Sequence, residues 1–388
     1  MSIVGVIAEF NPLHTGHEYL LSCAKALGKT VCVISGNFVQ RGDTAVASKE
    51  IRAKSALLCG ADLVCELPVL WSMSTAQNFA LGGISALLNL GCDTVMFGSE
   101  AGEITPLTET ADILLSDEFS LALNKYLSAG ITFAAARQKA AEDLGAPIGI
   151  LDKPNNNLGI EYIIASRRFG ADLQFKTVKR LGAPHDSAGL DDFVSASFLR
   201  EKLITGDREI AKKYMPEKIL HLYKEDNLSD ISRIETGILS ILRTKTAEDF
   251  KKLPDLSEGV ENRLYSAIRV AIDLKSLYNE LKVKRYPLAR IRRLVFSAAL
   301  GFDNSFFMKP LPYVRVLGKS ADGDSVLKTA KGISKIPIVT KISRISELGE
   351  DAQKVFQTEC RATDLFSLSL KKPQECGKEY KMKFLLEE

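Results

Sequence analysis

The sequence predicts an α/β fold: a parallel sheet with crossover helices, then a helical segment and a small mixed α+β C-terminal part. Three observations carry this. Short apolar runs alternate with helical patterns over about the first 205 residues. Each run ends in a polar or glycine-bearing loop ("AEFNP", "SGNFVQRGD", "ELPV", "FGSE"), the place where open parallel sheets hold ligands. From about 206 to 300, "RIETGILSILRTK" and "VENRLYSAIRVAIDLKSLYNEL" carry apolar residues at three and four spacing.

Taken in order, "SIVGVIA" reads as a buried strand and is followed by a helix from about His17 to Leu27. "TVCVISG" is the second strand, with a helix from about Ser48 to Leu58 behind it. "ADLVCELP", a further helical stretch and "CDTVMFGS" continue the alternation, residues 105 to 150 are helical, and "FKTVKRLG" is one more strand running into a loop. The core closes near residue 205, after "VSASFLREKL". Residues 310 to 388 mix short β-like pieces ("YVRVLG", "IPIVTK") with helical ones, and the tail "KEYKMKFLLEE" is expected to be loosely held.

Composition excludes several classes. Apolar residues make up 46% and charged residues 26% of 388, which fits neither disorder nor a fibrous repeat. The start "MSIVGVIAEF" lacks the basic residues and cleavage site of a signal peptide. The most apolar later window, "FALGGISALLNLGCDTVMFG", contains Asn89, Asp93 and four glycines and makes a poor membrane span. Seven cysteines without a CxxC pair suggest scattered thiols in a reducing cytoplasm. A net charge of +3 leaves local patches to decide the partners.

The chemistry concentrates in "NPLHTGHEYL", which holds two of the four histidines, His14 and His17. If the strand and helix are as above, both lie at a helix N-terminus, where backbone amides attract anions and Gly16 allows close approach. Two imidazoles there could donate to phosphate oxygens and stabilise charge at phosphorus. An ordinary helix-capping pair is the bland alternative. A zinc site is not expected, because no third ligand is at hand. In "GNFVQRGDTA", Gln40, Arg41 and Asp43 form either a solvated turn or contacts to phosphate, substrate or RNA. "KSLYNELKVKRYPLARIRR" sets seven Lys or Arg against one Glu, with Tyr278 and Tyr286 interleaved. That is a solvated helix face or an RNA contact made by phosphate neutralisation and base stacking.

The H-x-G-H of His14-Thr15-Gly16-His17, placed after a first strand, resembles the signature of the nucleotidyltransferase superfamily that includes class I aminoacyl-tRNA synthetases. "VSASFLR" is similar to the "ISSTxxR"-like element that closes such cores, and it contains Ser195 and Arg200. "GVIAEFNPLHTGHEYLL", "SGNFVQRGDTA", "ADLVCELP", "FGSE", "PNNNLGIEY" and "KRLGAPHDS" narrow the likeness to the tRNA(Met) cytidine acetate ligase family, and it continues through "KRYPLARIRR" and "PYVRVLGKS". "KISRIS", which tempts comparison with the second synthetase signature, falls outside the α/β core.

The resemblance implies a Rossmann-like nucleotidyltransferase core over 1–205, a helical tRNA-binding segment over 206–300 and a mixed region over 301–388. It implies a cytoplasmic enzyme that activates acetate with ATP and magnesium as acetyl-adenylate. The acetyl group would then pass to N4 of the wobble cytidine of elongator tRNA(Met). ATP would be lined by Ile7, Ala8, Glu9, Phe10, Asn11, Pro12 and Leu13, then by His14, Thr15, Gly16, His17, Glu18, Tyr19 and Leu20. Gly98, Asn157 and Arg180 complete that site, with the choice among Asn155, Asn156 and Asn157 open by one position. His14, His17 and Arg180 are the candidates for charge stabilisation, and Gln40, Arg41, Asp43, Ser195 and Arg200 for phosphate or substrate contacts. Lys282, Lys284, Arg285, Tyr286, Arg290, Arg292 and Arg293 are the candidates for tRNA. His185 and His221 are taken as incidental, although His185 shares the loop after Arg180. The rivals are a cofactor-synthesising adenylyltransferase of the same superfamily and a non-catalytic RNA-binding protein.

Overall fold

A computed structural model describes residues 2–180, 195–283 and 286–387. The chain opens with β1 (Ile3–Ala8), α1 (Thr15–Leu27), β2 (Lys29–Ser35), the short strands β3 (Phe38–Val39) and β4 (Asp43–Thr44), and α2 (Lys49–Leu58). Next come β5 (Leu63–Leu67), α3 (Val69–Ser72), α4 (Ala76–Asn89), β6 (Thr94–Ser99), α5 (Thr105–Leu115), α6 (Asp117–Ser128), α7 (Phe133–Asp143), α8 (Pro154–Arg168) and β7 (Gln174–Lys179). The helical stretch holds α9 (Ala196–Thr205), α10 (Arg208–Tyr214), α11 (Glu217–Leu220), α12 (Glu235–Arg243), α13 (Ala247–Phe250), α14 (Val260–Val270), α15 (Leu274–Leu281) and α16 (Leu288–Leu300). The chain ends with β8 (Val314–Lys319), α17 (Gly323–Ile333), β9 (Ile338–Val339), α18 (Glu350–Leu368), α19 (Lys378–Lys381) and β10 (Leu385–Leu386).

The main sheet runs β10-β8-β5-β2-β1-β6-β7, with β9 beside β8. β1, β2, β5, β6 and β7 are mutually parallel, and β8 is antiparallel to β5. β1 can be apolar throughout because helices cover both sheet faces. Val4 and Val6 enter one core with Leu21 of α1 and Ala53 of α2, whereas Ile3 and Ile7 enter another with Ile84 of α4 and Ile160 of α8. The chain steps outward from β1 through β2 to β5 and then returns to lay β6 on the far side of β1. The crevice between the carboxyl ends of β1 and β6 is therefore the topological switch point, where such sheets bind ligands.

The later segments lean on this core. In the third apolar core, α12, α14, α15 and α16 pack around Phe38, Val69 and Met73, with Ala362 and Phe366 of α18. The C-terminal part is mixed α and β as expected, and its strands join the same sheet rather than forming one of their own. The expectation of a loose tail is corrected. Leu385 pairs with Gly318, and Glu379 of α19 is buried against Arg315 of β8.

That carboxylate belongs to an enclosed charge cluster. Lys49 meets Glu66, Glu359 at 3.0 Å and Glu379, while Arg315 meets Glu66 at 3.1 Å and Glu379. Three carboxylates face two cations. Burial and the neighbouring Glu66 push the Glu359 carboxyl well above the ordinary glutamate range, against the pull of Lys49. All seven cysteines are free thiols, five of them buried. No described helix is long and apolar enough to cross a membrane.

Candidate active site

At the end of β1 the chain turns through Glu9, Phe10 and Asn11 into α1. Phe10 has φ 47°, a left-handed conformation unusual for an aromatic residue, and it is held by full burial of its ring. The ring meets His17 edge-on at 5.2 Å. His14 is the N-cap of α1. Its Nδ1 accepts from Gly16 N at 3.1 Å, and His17 Nδ1 accepts from His14 N at 3.4 Å, a reciprocal capping box built from imidazoles. A Cβ at residue 16 would lie 3.0 Å from His14 Cε1, so glycine gives this ring its seat.

The box sets the chemistry. A nitrogen that accepts carries no proton, so each neutral ring carries its proton on Nε2. The rings stack at 3.8 Å, and among the described residues His14 Nε2 makes no hydrogen bond. Burial, then the charge of Arg180, holds His14 down to about 3. Burial, His14 and Arg180 hold His17 well below its ordinary value, against the Pro12 carbonyl. Both are neutral at pH 7. The Gly16 amide is already taken by His14, and the His17 N–H faces the Pro12 carbonyl, which leaves His14 Nε2–H as the imidazole donor without a partner among the described residues.

The other residues of this segment divide by role. Ile7, Leu13 and Leu20 are core side chains, so at these positions only the backbone is left to face a ligand. Ala8, Pro12 and Thr15 are small side chains along the same turn. Glu18 pairs with Lys218 at 2.7 Å, and Tyr19 is exposed.

Across the crevice, Arg180 follows β7 and its amide bonds to Ser99 O at 2.9 Å. A Cβ on Gly98 would lie 3.1 Å from Arg180 Cγ, so the missing side chain at the end of β6 lets the arginine cross toward the histidines. At the start of α8 the three asparagines separate. Glu100 accepts from Asn155 Nδ2 at 2.7 Å and from Asn156 N at 2.9 Å, and the buried Asn156 accepts from Ala101 N at 2.9 Å. Asn157 Oδ1 accepts from Arg137 Nη1 at 2.6 Å, which leaves the Asn157 amide nitrogen as a donor. Arg137 Nη2 also meets the buried Glu161 at 2.6 Å, and Gln77 donates to the same oxygen at 3.0 Å.

A second group lies on the β2 side of β1. Glu9 accepts from Gln40 N at 2.8 Å, and Asp43 accepts from Thr44 N at 2.8 Å with Arg292 at 3.7 Å. Arg200 donates to Asn11 O at 2.9 Å and to Ser197 at 3.0 Å, while Ser195 caps α9. Arg41 is exposed. Gly42, at φ 69°, approaches so close to α16 that a Cβ would lie 2.5 Å from Arg293 N.

The expected RNA arginines are already engaged. Arg290 donates to Asp255 O and Ser257 at 2.7 Å and lies over Tyr286, Arg293 reaches Gln40 O at 3.3 Å, and Arg292 lies over Tyr278. Lys282 is exposed. Lys284, Arg285 and His185 lie outside the described residues, and His221 is exposed at the end of α11.

Sequence reasoning missed Arg137 and Arg52. Arg52 is fully buried and binds the carbonyls of Glu9 at 2.8 Å, Ser35 at 3.0 Å, Ala47 at 3.0 Å and Gly36, pinning the ends of β1 and β2. Neither residue lies in a recognisable motif. Among the described residues, the one set of three acidic, His or Cys side chains close enough for an ion is Glu66, Glu359 and Glu379. Lys49 and Arg315 already fill it, so it does not fit a metal.

Comparison with known proteins agrees with this geometry. The HIGH Nucleotidyl Transferase family matches residues 1–381. The tRNA(Met) cytidine acetate ligase of Thermoanaerobacter sp. (strain X514) is 36% identical, covering 98% of each chain, and that of Caldanaerobacter subterraneus subsp. tengcongensis is 37% identical over 96% of each. The crystal structure of Thermotoga maritima TmcAL (apo, form I) is similar at TM-score 0.92 and 30% identity across the whole of both chains. The same protein bound with alpha-thio ATP is similar at TM-score 0.90, again with 30% identity over the whole of both chains.

Proposed function

The chain belongs to the HIGH nucleotidyltransferases and, among them, to the tRNA(Met) cytidine acetate ligase family, and from that premise we propose that it activates acetate with ATP and acetylates N4 of the wobble cytidine of elongator tRNA(Met). The observation that carries this reading is the pair of neutral, stacked imidazoles at the switch point, with Arg180 facing them.

Magnesium-bound ATP is the substrate of the first step, seated over the crevice between β1 and β6. An acetate oxygen attacks the α-phosphorus, a new P–O bond forms, and pyrophosphate leaves. His14 donates from Nε2 to the phosphate oxygens as charge builds, with His17 stacked against it and its own N–H turned to the Pro12 carbonyl, and Arg180 supplies the fixed positive charge. Neutral imidazoles suit this task because they stabilise without surrendering a proton across the working pH range. Asn157, turned by Arg137, offers its amide hydrogens to an acceptor on the nucleotide. The cytidine amine then attacks the acetyl carbonyl and AMP departs. Lys282, Lys284 and Arg285 hold the tRNA from the segment between α15 and α16. The reaction takes place in the cytoplasm.

The test is acetate-dependent exchange of labelled pyrophosphate into ATP, followed by mass analysis of unmodified tRNA(Met). Exchange with acetate and a gain of one acetyl group on cytidine support the reading. AMP transfer to a small phosphorylated acceptor, without acetate dependence, would replace it with a cofactor adenylyltransferase.

A further inference from the structure

On the proposed reading the nucleotide lies on the β6 side of β1, where Arg180 faces His14 and His17. The β2 side holds a separate group, made jointly by the first loops and the helical region. Arg200 of α9 grips the Asn11 carbonyl at 2.9 Å, Gln40 N reaches Glu9 at 2.8 Å, and Arg292 of α16 stands 3.7 Å from Asp43. Val46, three residues beyond Asp43, donates to Asn11 Oδ1 at 2.7 Å, which ties this strand of chain to the loop that carries the histidines. The group is thus tied directly to the loop that leads into the histidines, on the side of β1 away from β6, and an acyl acceptor approaching from that side would meet it.

Resting on the proposed acetyl transfer, we propose that Asp43 is the proton acceptor for the attacking cytidine amine, with Arg292 as the positioning residue that holds it. The step balances. The N4 lone pair forms the C–N bond to the acetyl carbon, the bond from that carbon to the phosphate oxygen breaks, AMP leaves with the electron pair, and one N4 proton passes to the Asp43 carboxylate. The cytidine amine is a weak nucleophile because its lone pair is delocalised into the ring. Once it bonds to carbon its N–H becomes strongly acidic, so a carboxylate suffices as base.

The three carboxylates at these loops differ in what remains free. Glu100 is engaged by Asn155 and Asn156 on the nucleotide side. Glu9 fastens the loop at Gln40. Asp43 has one oxygen on Thr44 N at 2.8 Å, and the other meets Arg292 only at 3.7 Å, beyond hydrogen-bond range. Arg292 Nε is enclosed without a hydrogen-bond partner among the described residues, a second sign that polar groups here await a ligand. Burial raises the Asp43 carboxyl above the ordinary aspartate range. Arg292, Arg200 and the Thr44 amide oppose that rise and Asp230 adds to it, while Tyr278 of α15 faces the same carboxylate.

The experiment separates the two half-reactions in the full-length enzyme, first with wild type. Acetate-dependent pyrophosphate exchange reports activation, and single-turnover transfer from acetyl-adenylate to unmodified tRNA(Met) transcript is followed from pH 5 to 9. For Asp43→Asn, exchange and tRNA affinity stay within about threefold, while transfer falls about 10²- to 10⁴-fold and loses its acid limb. Asp43→Glu restores part of the rate, and Arg292→Met shifts the acid limb. The assignment is overturned if Asp43→Asn slows exchange and transfer equally, if transfer survives with its acid limb, or if Glu9→Gln shows the selective loss instead. Wild type without acetate-dependent exchange would sink the acetate ligase reading itself, and this assignment with it.

Discussion

Replacing Arg137 with methionine should weaken ATP binding through a residue that no motif marks. Two effects have to be separated. The guanidinium fixes the Asn157 amide by a 2.6 Å bond and neutralises Glu161, whose side chain is 3% exposed. Without the bond Asn157 can present either end to the nucleotide, so at most one neutral hydrogen bond is lost, about 0.5–1.5 kcal/mol. That corresponds to a rise of about 2- to 12-fold in the KM for ATP. Without the cation, Glu161 keeps the Gln77 hydrogen bond and the more distant charge of Arg168 in a buried site where its carboxyl is already raised by desolvation. Breaking such a pair costs about 3 kcal/mol, at the low end of the buried range because Arg137 is partly solvated. The assay pairs urea unfolding with pyrophosphate exchange at varied ATP. Adding Glu161→Gln to Arg137→Met should restore stability and leave the KM defect. If the KM recovers together with stability, or never rises in the single variant, the orientation argument is wrong.

His14→Ala should lower acetate-dependent exchange by about 10²- to 10³-fold while tRNA binding persists; survival of exchange would remove the imidazole from the mechanism. Stability should fall as pH drops from about 6.5, the unfolded histidine value, toward about 3, where folded His14 titrates. The unfolded chain binds more protons across that window, so stability rises with pH there. Urea midpoints of wild type and His14→Gln should converge at low pH, and parallel curves would contradict the assignment. Lys282→Glu should flatten the salt dependence of tRNA binding by about one unit of log–log slope, and an unchanged slope would place the RNA elsewhere.

The basic stretch 275–293 shows how composition and structure part company. Its arginines read as an RNA surface, yet Arg290, Arg292 and Arg293 brace Asp255, Asp43 and Gln40. A charge run specifies that cations are present and says nothing of whether phosphate or a neighbouring carboxylate meets them. Replacing all three together would therefore loosen the β3–β4 loop as well as any RNA contact.

Local physics made the first loop legible. β1 is apolar on both faces, α1 starts at a capping residue, and H-x-G-H joins them within a dozen positions, so the strand, helix and histidine pair could be read from neighbours alone. The same holds for the parallel strands that follow, whose runs and crossover helices each carry their own period. The orienting contacts could not be read this way. Arg137 meets Asn157 across 20 residues, Arg52 meets Glu9 across 43, and Lys49 meets Glu359 across 310. A period of 2 or 3.6 reports that a face is buried without saying against what. A two-residue strand such as β10 has too few positions to show any period. Its place beside β8, and the burial of Glu379 that comes with it, follow from free hydrogen-bonding edges and unpaired charges that only the assembled core brings within reach.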